Sequence, residues 1–331
     1  MFRHFAQRCA TGFALALFHA TLFTGAALAQ SFPNKPVKLI IPYPAGAPVD
    51  NVARGLGEAL SAIWGQPVLI DNRAGANEIV AASAVTKSAP DGYTLLLGTD
   101  AAFTQNAYLY NKLPYDAKTE LAPISRVVFV NMVLIARGEL PAASSKDFVA
   151  LMKKEGDKRN YGSAGAGGTT HLAMESFKQE GGFPMQHVPY KGIAPAMQDL
   201  LGGNIDALFA GATAAIPHLK TGKVKVLGIS GAKRAKSLPD VPTFAEAGYP
   251  NTQANFYLGV AAPAGTPVAI INKISADIRK AVADKAFLEK FVDPYGYDPI
   301  GETPQQFGEF LKRDSEINDK RIKALGIKLD L

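Results

Sequence analysis

Three apolar runs, each stopped by a loop of small residues and followed by a helical pattern, open the chain after its first 30 residues. Residues 37–43 are apolar and run into Pro44-Ala45-Gly46-Ala47-Pro48. Asp50 then heads a pattern carried by Val52, Ala53, Leu56, Leu60 and Ile63, where it can serve as a cap or as a binding group. Residues 67–70 form a second run, followed by Asp71-Asn72-Arg73-Ala74-Gly75 and a helical pattern over 78–87. After the turn Pro90-Asp91-Gly92, residues 93–97 form a third, ending at Gly98-Thr99-Asp100-Ala101. Strands alternating with helices imply parallel βαβ units. In open parallel sheets, ligands lie beyond the carboxyl ends of the strands. Three such ends are therefore candidates: 44–47, 72–75 and 99–101.

The rhythm recurs further on. Residues 127–136 are a long apolar strand, read as a crossing into a second α/β region. Ser145 is expected to cap a helix to about 154. Short strands follow at 186–190, 205–209 and 224–229, with helices at 194–201 and 216–219. Residues 256–262 read as the returning strand. Thr266-Pro267 and Thr303-Pro304-Gln305-Gln306 each carry a cap with proline at the first helical position, and the second is also a capping box. The expected architecture is α/β with two domains, 30–129 with 255–331 and 130–254, and a ligand cleft between them.

The glycine-rich stretch Asn160-Tyr161-Gly162-Ser163-Ala164-Gly165-Ala166-Gly167-Gly168-Thr169-Thr170-His171 separates a short β-prone segment from a helical pattern at Leu172, Ala173, Ser176 and Phe177. Glycines let backbone N–H groups approach a ligand, and a helix start offers unpaired N–H groups and a positive dipole end. The stretch fails as a nucleophile elbow, because Tyr161 stands where Gly-x-Ser-x-Gly needs glycine. It also fails as a dinucleotide fingerprint, with Thr170 in the last glycine position. It reads as built to bind.

Composition narrows the class. Of 331 residues, 47% are hydrophobic, which suits a globular chain of about two domains. Arg3 and Arg8 precede an apolar segment over 12–28, and Ala27-Leu28-Ala29 is a small-x-small cleavage site. This is a signal peptide, with cleavage after Ala29 and a periplasmic destination. Cys9, inside that segment, is the only cysteine, so the processed chain has no thiol chemistry and no disulfide. It retains 33 basic side chains against 29 acidic, scattered rather than clustered, which excludes a nucleic-acid role. His171, His187 and His218 lack metal-ligand spacing, so neither metal nor cofactor is expected.

Seven blocks carry a resemblance. They are Tyr43-Pro44-Ala45-Gly46 with Asp50 and Ala53-Arg54; Asp71-Asn72-Arg73 with Gly75; and Asp91-Gly92-Tyr93-Thr94-Leu95-Leu96 with Gly98-Thr99. Then come Tyr161-Gly162-Ser163 through His171-Leu172-Ala173 and Glu175; His187-Val188-Pro189-Tyr190-Lys191-Gly192; Leu238-Pro239-Asp240-Val241-Pro242-Thr243; and Ala262-Pro263-Ala264-Gly265-Thr266-Pro267. In this order, over nearly the whole processed chain, they resemble the extracytoplasmic solute receptors of tripartite tricarboxylate transporters, the Bug family. The resemblance implies a type II-like periplasmic binding protein fold and no catalysis. It implies capture of a small mono- or dicarboxylate, aliphatic or aromatic, by a monomer that delivers it to membrane permease subunits. A ligand sensor facing a membrane sensor kinase is the alternative, since both roles use the same closed shape. The implied ligand contacts are Tyr43, Pro44, Ala45, Gly46, Ala47 and Asp50, then Thr99, Asp100 and Ala101. On the second domain they are Ser163, Ala164, Gly165, Gly168, Thr169 and Thr170, with Phe209, Ala210, Gly211 and Phe256.

Departures from the family pattern fall at these positions. Ala47 stands where glycine is usual, Ala76-Asn77-Glu78 replaces a glycine-rich stretch, and Asp100 replaces a small hydroxyl residue. Gly168 takes the place of serine and Ala210 that of aspartate. A carboxylate at position 100 would repel an anion unless it caps its helix or the ligand offers a donor there. Arg54, four residues after Asp50, is placed for an ion pair on one helix face. His171, in a first helical turn, is expected to be neutral. A hydrolase using Ser163 with His171 or His187 is the remaining rival, and it lacks a third member.

Overall fold

The computed structural model describes residues 32–330, apart from 232 and 253. The signal peptide expected over 1–29 lies outside the described residues.

The first three apolar runs are β1 (Val37–Ile41), β2 (Val68–Asn72) and β3 (Thr94–Gly98), joined by helices α1 (Pro48–Trp64) and α2 (Ile79–Thr86). β1 pairs in parallel with both neighbours, so all three carboxyl ends lie on one edge, as the alternation requires. The fourth strand, β4, is longer than the apolar run suggests, spanning Leu121–Arg137. Pro123, Ser125 and Arg126 interrupt its apolar pattern. They coincide with two register shifts, which bend the strand without ending it.

After the helix α3 (Ser145–Glu155) come β5 (Asn160–Ser163), α4 (Thr169–Gly181), β6 (Gln186–Pro189) and α5 (Ile193–Leu201). They are followed by β7 (Ala207–Gly211), β8 (Val224–Ile229), β9 (Asn255–Pro263), α6 (Val268–Ala283), the two-residue β10 (Asp298–Pro299) and α7 (Pro304–Leu325). The sheet runs β2-β1-β3-β9-β4-β7-β5-β6, with β8 and β10 also paired to β4.

β4 is the seam. From Leu121 to Asn131 it pairs antiparallel with β9, and from Met132 onward with β7. The chain therefore forms two α/β halves joined where β4 crosses. In the second half alternate residues face opposite cores. Met132, Leu134 and Ala136 pack with Phe148, Phe177 and Phe209, whereas Val133 and Ile135 pack with Ala196, Leu200 and Leu208. The first half buries Ile40, Leu96, Phe103, Tyr257 and Phe307 together.

Local signals hold with small shifts. Thr303 makes the expected capping box with Gln306. Ser144, not Ser145, caps α3, because the Ser145 hydroxyl instead donates to the Leu227 carbonyl at 2.7 Å. Pro267, not Thr266, is the cap of α6, since the Thr266 hydroxyl turns back to the Pro263 carbonyl. Among the described residues no helix is long and apolar enough to cross a membrane.

Candidate functional site

The facing strand ends carry most of the residues singled out from sequence. On the first half, Gly46 N–H donates to Asp50 Oδ2 at 2.8 Å. Asp50 does not cap α1, whose cap position is Ala47. It lies in the first turn and reaches back to the loop. Arg54 Nε donates to the same oxygen at 2.8 Å, forming the expected i,i+4 pair, and Asn72 Nδ2 donates to Oδ1 at 2.9 Å. Burial pushes the Asp50 carboxyl up, but these bonds outweigh it and hold the group below the usual carboxylate range.

A second carboxylate sits deeper. Glu78 is buried and accepts from Tyr43 Oη at 2.7 Å, Thr99 Oγ1 at 2.6 Å and Thr99 N–H at 2.9 Å. Burial raises its pKa while these donors oppose the shift. Its backbone and those of Ala76 and Asn77 all have positive φ, 45°, 47° and 74° along the chain. Three successive non-glycine residues in this region store strain of about 1 kcal/mol each. The Asn77–Asn106 pair helps hold them, through bonds of 2.7 and 2.8 Å. The conformation that a glycine-rich stretch adopts without strain is thus kept here by side-chain bonding.

A third carboxylate, Asp100, is 5% exposed and does not cap the short π-helical turn Ala101–Gln105. It accepts from Gln105 Nε2 and, across the two halves, from Thr169 Oγ1 at 3.4 Å. Burial, and then the charge of Asp314, pushes its carboxyl well above the usual range.

The second half is organised differently. The glycine stretch folds on itself. Ala164 N–H donates to Thr170 Oγ1, Gly165 N–H to Ser163 Oγ, Gly167 N–H to His171 Nδ1 and Gly168 N–H to the Gly165 carbonyl. Thr170 thus braces the loop rather than capping α4. Gly168 is the cap residue and supplies no capping side chain, so the first-turn N–H groups of Thr169, Thr170 and His171 are the open donors here. His171 accepts at Nδ1 and is therefore neutral. Burial lowers its pKa to about 4. Its ring stacks on His187 with centroids 3.8 Å apart, and Ser163 Oγ lies 2.6 Å from His187 Nε2. Ser163 is fully buried, and Glu175, four residues after His171, is bonded to Tyr161 and Lys178.

Phe209 and Ala210 turn their side chains into the two cores of the second half, and Gly211 ends β7. Ala101 is buried beneath Thr99, to whose hydroxyl its N–H donates at 3.2 Å, and residues 44–46 are exposed. Asp100 and Phe256 share a cavity of 220 Å³ beside the β4–β9 seam, walled also by Tyr257, Asp314, Asn318 and Arg321. Sequence reading missed the α7 contributors. Their spacing at i, i+4 and i+7 places Asp314, Asn318 and Arg321 on one helix face, a pattern visible in the sequence but usual for solvated helices.

Two α/β halves joined at antiparallel crossing strands, with facing strand ends and helix starts, define a two-domain solute-binding protein of the periplasmic type. Residues 52–327 match the model of the tripartite tricarboxylate transporter family receptor, and the chain belongs to that family. It is 34% identical over 317 residues to protein BugT of Bordetella pertussis, covering 95% of this chain and 97% of that one. It superposes on the periplasmic binding protein BugD with a TM-score of 0.80 at 32% identity, covering 90% of this chain and all of BugD. With R. palustris Rpa4515 with adipate the TM-score is 0.83 at 31% identity, again over 90% of this chain and all of the other. BugD is a periplasmic binding protein, and this chain, as a member of the receptor family, is a solute-binding receptor, not an enzyme. The Ser163–His187 contact accordingly belongs to the packing of the glycine loop.

Proposed function

We propose that this protein captures a small mono- or dicarboxylate between its two halves and delivers it to the permease subunits of a tripartite tricarboxylate-type transporter. It would act as a monomer in the periplasm once residues 1–29 are removed. The observation that carries the reading is the uncapped start of α4, which directs unpaired N–H groups and a positive dipole end at the opposite strand ends. The adipate held by a relative of the same fold supports it. In this reading residues 43–47, Asp50 and residues 99–101 form one jaw and residues 163–170 the other. Gly211 and Phe256 line the seam. The halves, 30–129 with 255–331 and 130–254, close as bodies about β4 and β9, and only the ligand's tighter binding to the closed form shifts the population.

Thermal-shift and calorimetric titration with aliphatic and aromatic carboxylates tests this. At a ligand concentration of 100 Kd, mass action adds about 2.7 kcal/mol to stability, a clear rise in Tm. Stabilisation by sugars or peptides, with none by any carboxylate, would overturn the reading.

A further inference from the structure

The cradles expected to hold a ligand anion on the first half are already filled by the chain's own carboxylates. Asp50 takes the Gly46 N–H, and Glu78 takes Tyr43 Oη together with the N–H and hydroxyl of Thr99. Beyond Thr99 stands Asp100, and Asp314 faces the same 220 Å³ cavity. The cations near this wall are few. Arg321 lines the cavity, and its field reaches both Asp100 and Asp314. Arg126 also acts on Asp314, but Glu302 holds it through bonds of 2.6 and 2.8 Å. A ligand carboxylate brought to this wall would meet carboxyl groups whose pKa burial already raises, that of Asp100 further through the charges of Asp314 and Glu78, rather than free donors.

The wall has unused hydrogen-bonding capacity of the complementary kind. Asp100 Oδ1 accepts from Thr169 at 3.4 Å, well beyond the 2.7–2.8 Å usual for O–H···O, so the bond leaves that oxygen under-satisfied. Tyr257, 2% exposed, is part of the same cavity wall, and the buried Oε1 of Gln105, the residue that donates to Asp100, has no hydrogen-bond partner. Buried acceptors are rarely left so, and a ligand bearing N–H donors would complete the shell around Asp100. The bond to Thr169 also places the start of α4, with its open N–H groups, one contact away from Asp100.

We propose that the ligand is an amino-carboxylate, with its carboxylate at the start of α4 and its ammonium group seated against Asp100 and Asp314 in the seam cavity. This rests on the carboxylate-receptor reading and narrows it. Asp100 is then the specificity-determining residue, and Asp314 supports it. The ammonium adds positive charge and N–H donors beside Arg321, whereas a second carboxylate would face Asp100 and Asp314. Burial, which favours the neutral form of both acids, is relieved when a cation pairs with them.

The test is isothermal titration of the full processed chain with amino-carboxylates and dicarboxylates matched in length, such as 4-aminobutyrate against succinate and 6-aminohexanoate against adipate, with α-amino acids beside them. The expected result is an amino-carboxylate binding at least tenfold more tightly than its dicarboxylate match. Asp100→Asn and, separately, Asp314→Asn should narrow that ratio at least tenfold while the far-ultraviolet circular dichroism stays unchanged. A wild-type protein that prefers dicarboxylates overturns this proposal and leaves the receptor reading standing. Failure of both ligand classes to bind overturns both. The wild-type ranking decides even if a variant fails to fold, and an unchanged ratio in a folded Asp100→Asn protein also defeats the assignment.

Discussion

The two jaws of this receptor solve the same problem in opposite ways. The first-half edge is charged and strained. Asp50, Glu78 and Asp100 stand at successive strand ends, and three non-glycine residues hold left-handed backbone beside them. The second-half edge is neutral and glycine-rich. Its loop satisfies its own N–H groups, and its histidines stack as uncharged rings. A jaw that supplies carboxylates suits a donor on the ligand, and a jaw that supplies a helix start suits an acceptor. The contrast therefore orients a ligand before any contact is counted, which neither edge would do alone.

The contrast can be broken most forcefully at Glu78. Replacing it with alanine leaves Tyr43 Oη and both Thr99 donors without their acceptor in a buried site, and should cost about 3 kcal/mol of unfolding free energy. Urea unfolding at pH 7 measures this. A cost below about 1 kcal/mol would mean that water replaces the carboxylate and that the first jaw is less organised than its bonds imply.

Acid acts on the other jaw. The folded-state pKa of His171, about 4, lies below its ordinary value of 6.5, so the unfolded chain binds more protons between those limits. Stability from this group is full above pH 6.5 and is lost as pH falls towards 4, with a loss of about 2 kcal/mol at pH 5. His187, also lowered by burial, adds in the same direction. The raised carboxyls of Glu78 and Asp100 carry the opposite sign, since their proton-bound forms are favoured in the folded state at low pH. Comparing the pH dependence of His171→Gln with that of wild type isolates the second jaw. An unchanged slope between pH 7 and 5 would remove the histidine stack as its source.

Much of this was legible in the sequence because it is local. The βαβ rhythm, the Thr303 capping box, the Asp50–Arg54 pair and a neutral His171 all follow from residues within a few positions of each other. The failures are long-range. Ser145 lost the cap to Ser144 because a carbonyl 82 residues away claimed its hydroxyl. β4 reads as a shorter strand because its bulges hide the apolar period. The glycine stretch suggests free N–H donors, but Thr170 and His171 turn back to occupy them, leaving the donors to the helix start. Asp314, Asn318 and Arg321 reach the Asp100 cavity from more than 200 residues along the chain, and no local pattern separates them from a solvated helix face.

Closure of one jaw on the other is the central claim, and the absence of cysteine after Cys9 makes it directly measurable. Spin labels on cysteines introduced at the exposed positions Lys112 and Lys191 report the distance between the halves. Addition of whichever carboxylate raises Tm should shift the distance distribution to a single shorter, narrower population. A ligand that stabilises the protein while leaving that distribution unchanged would contradict capture between the two halves.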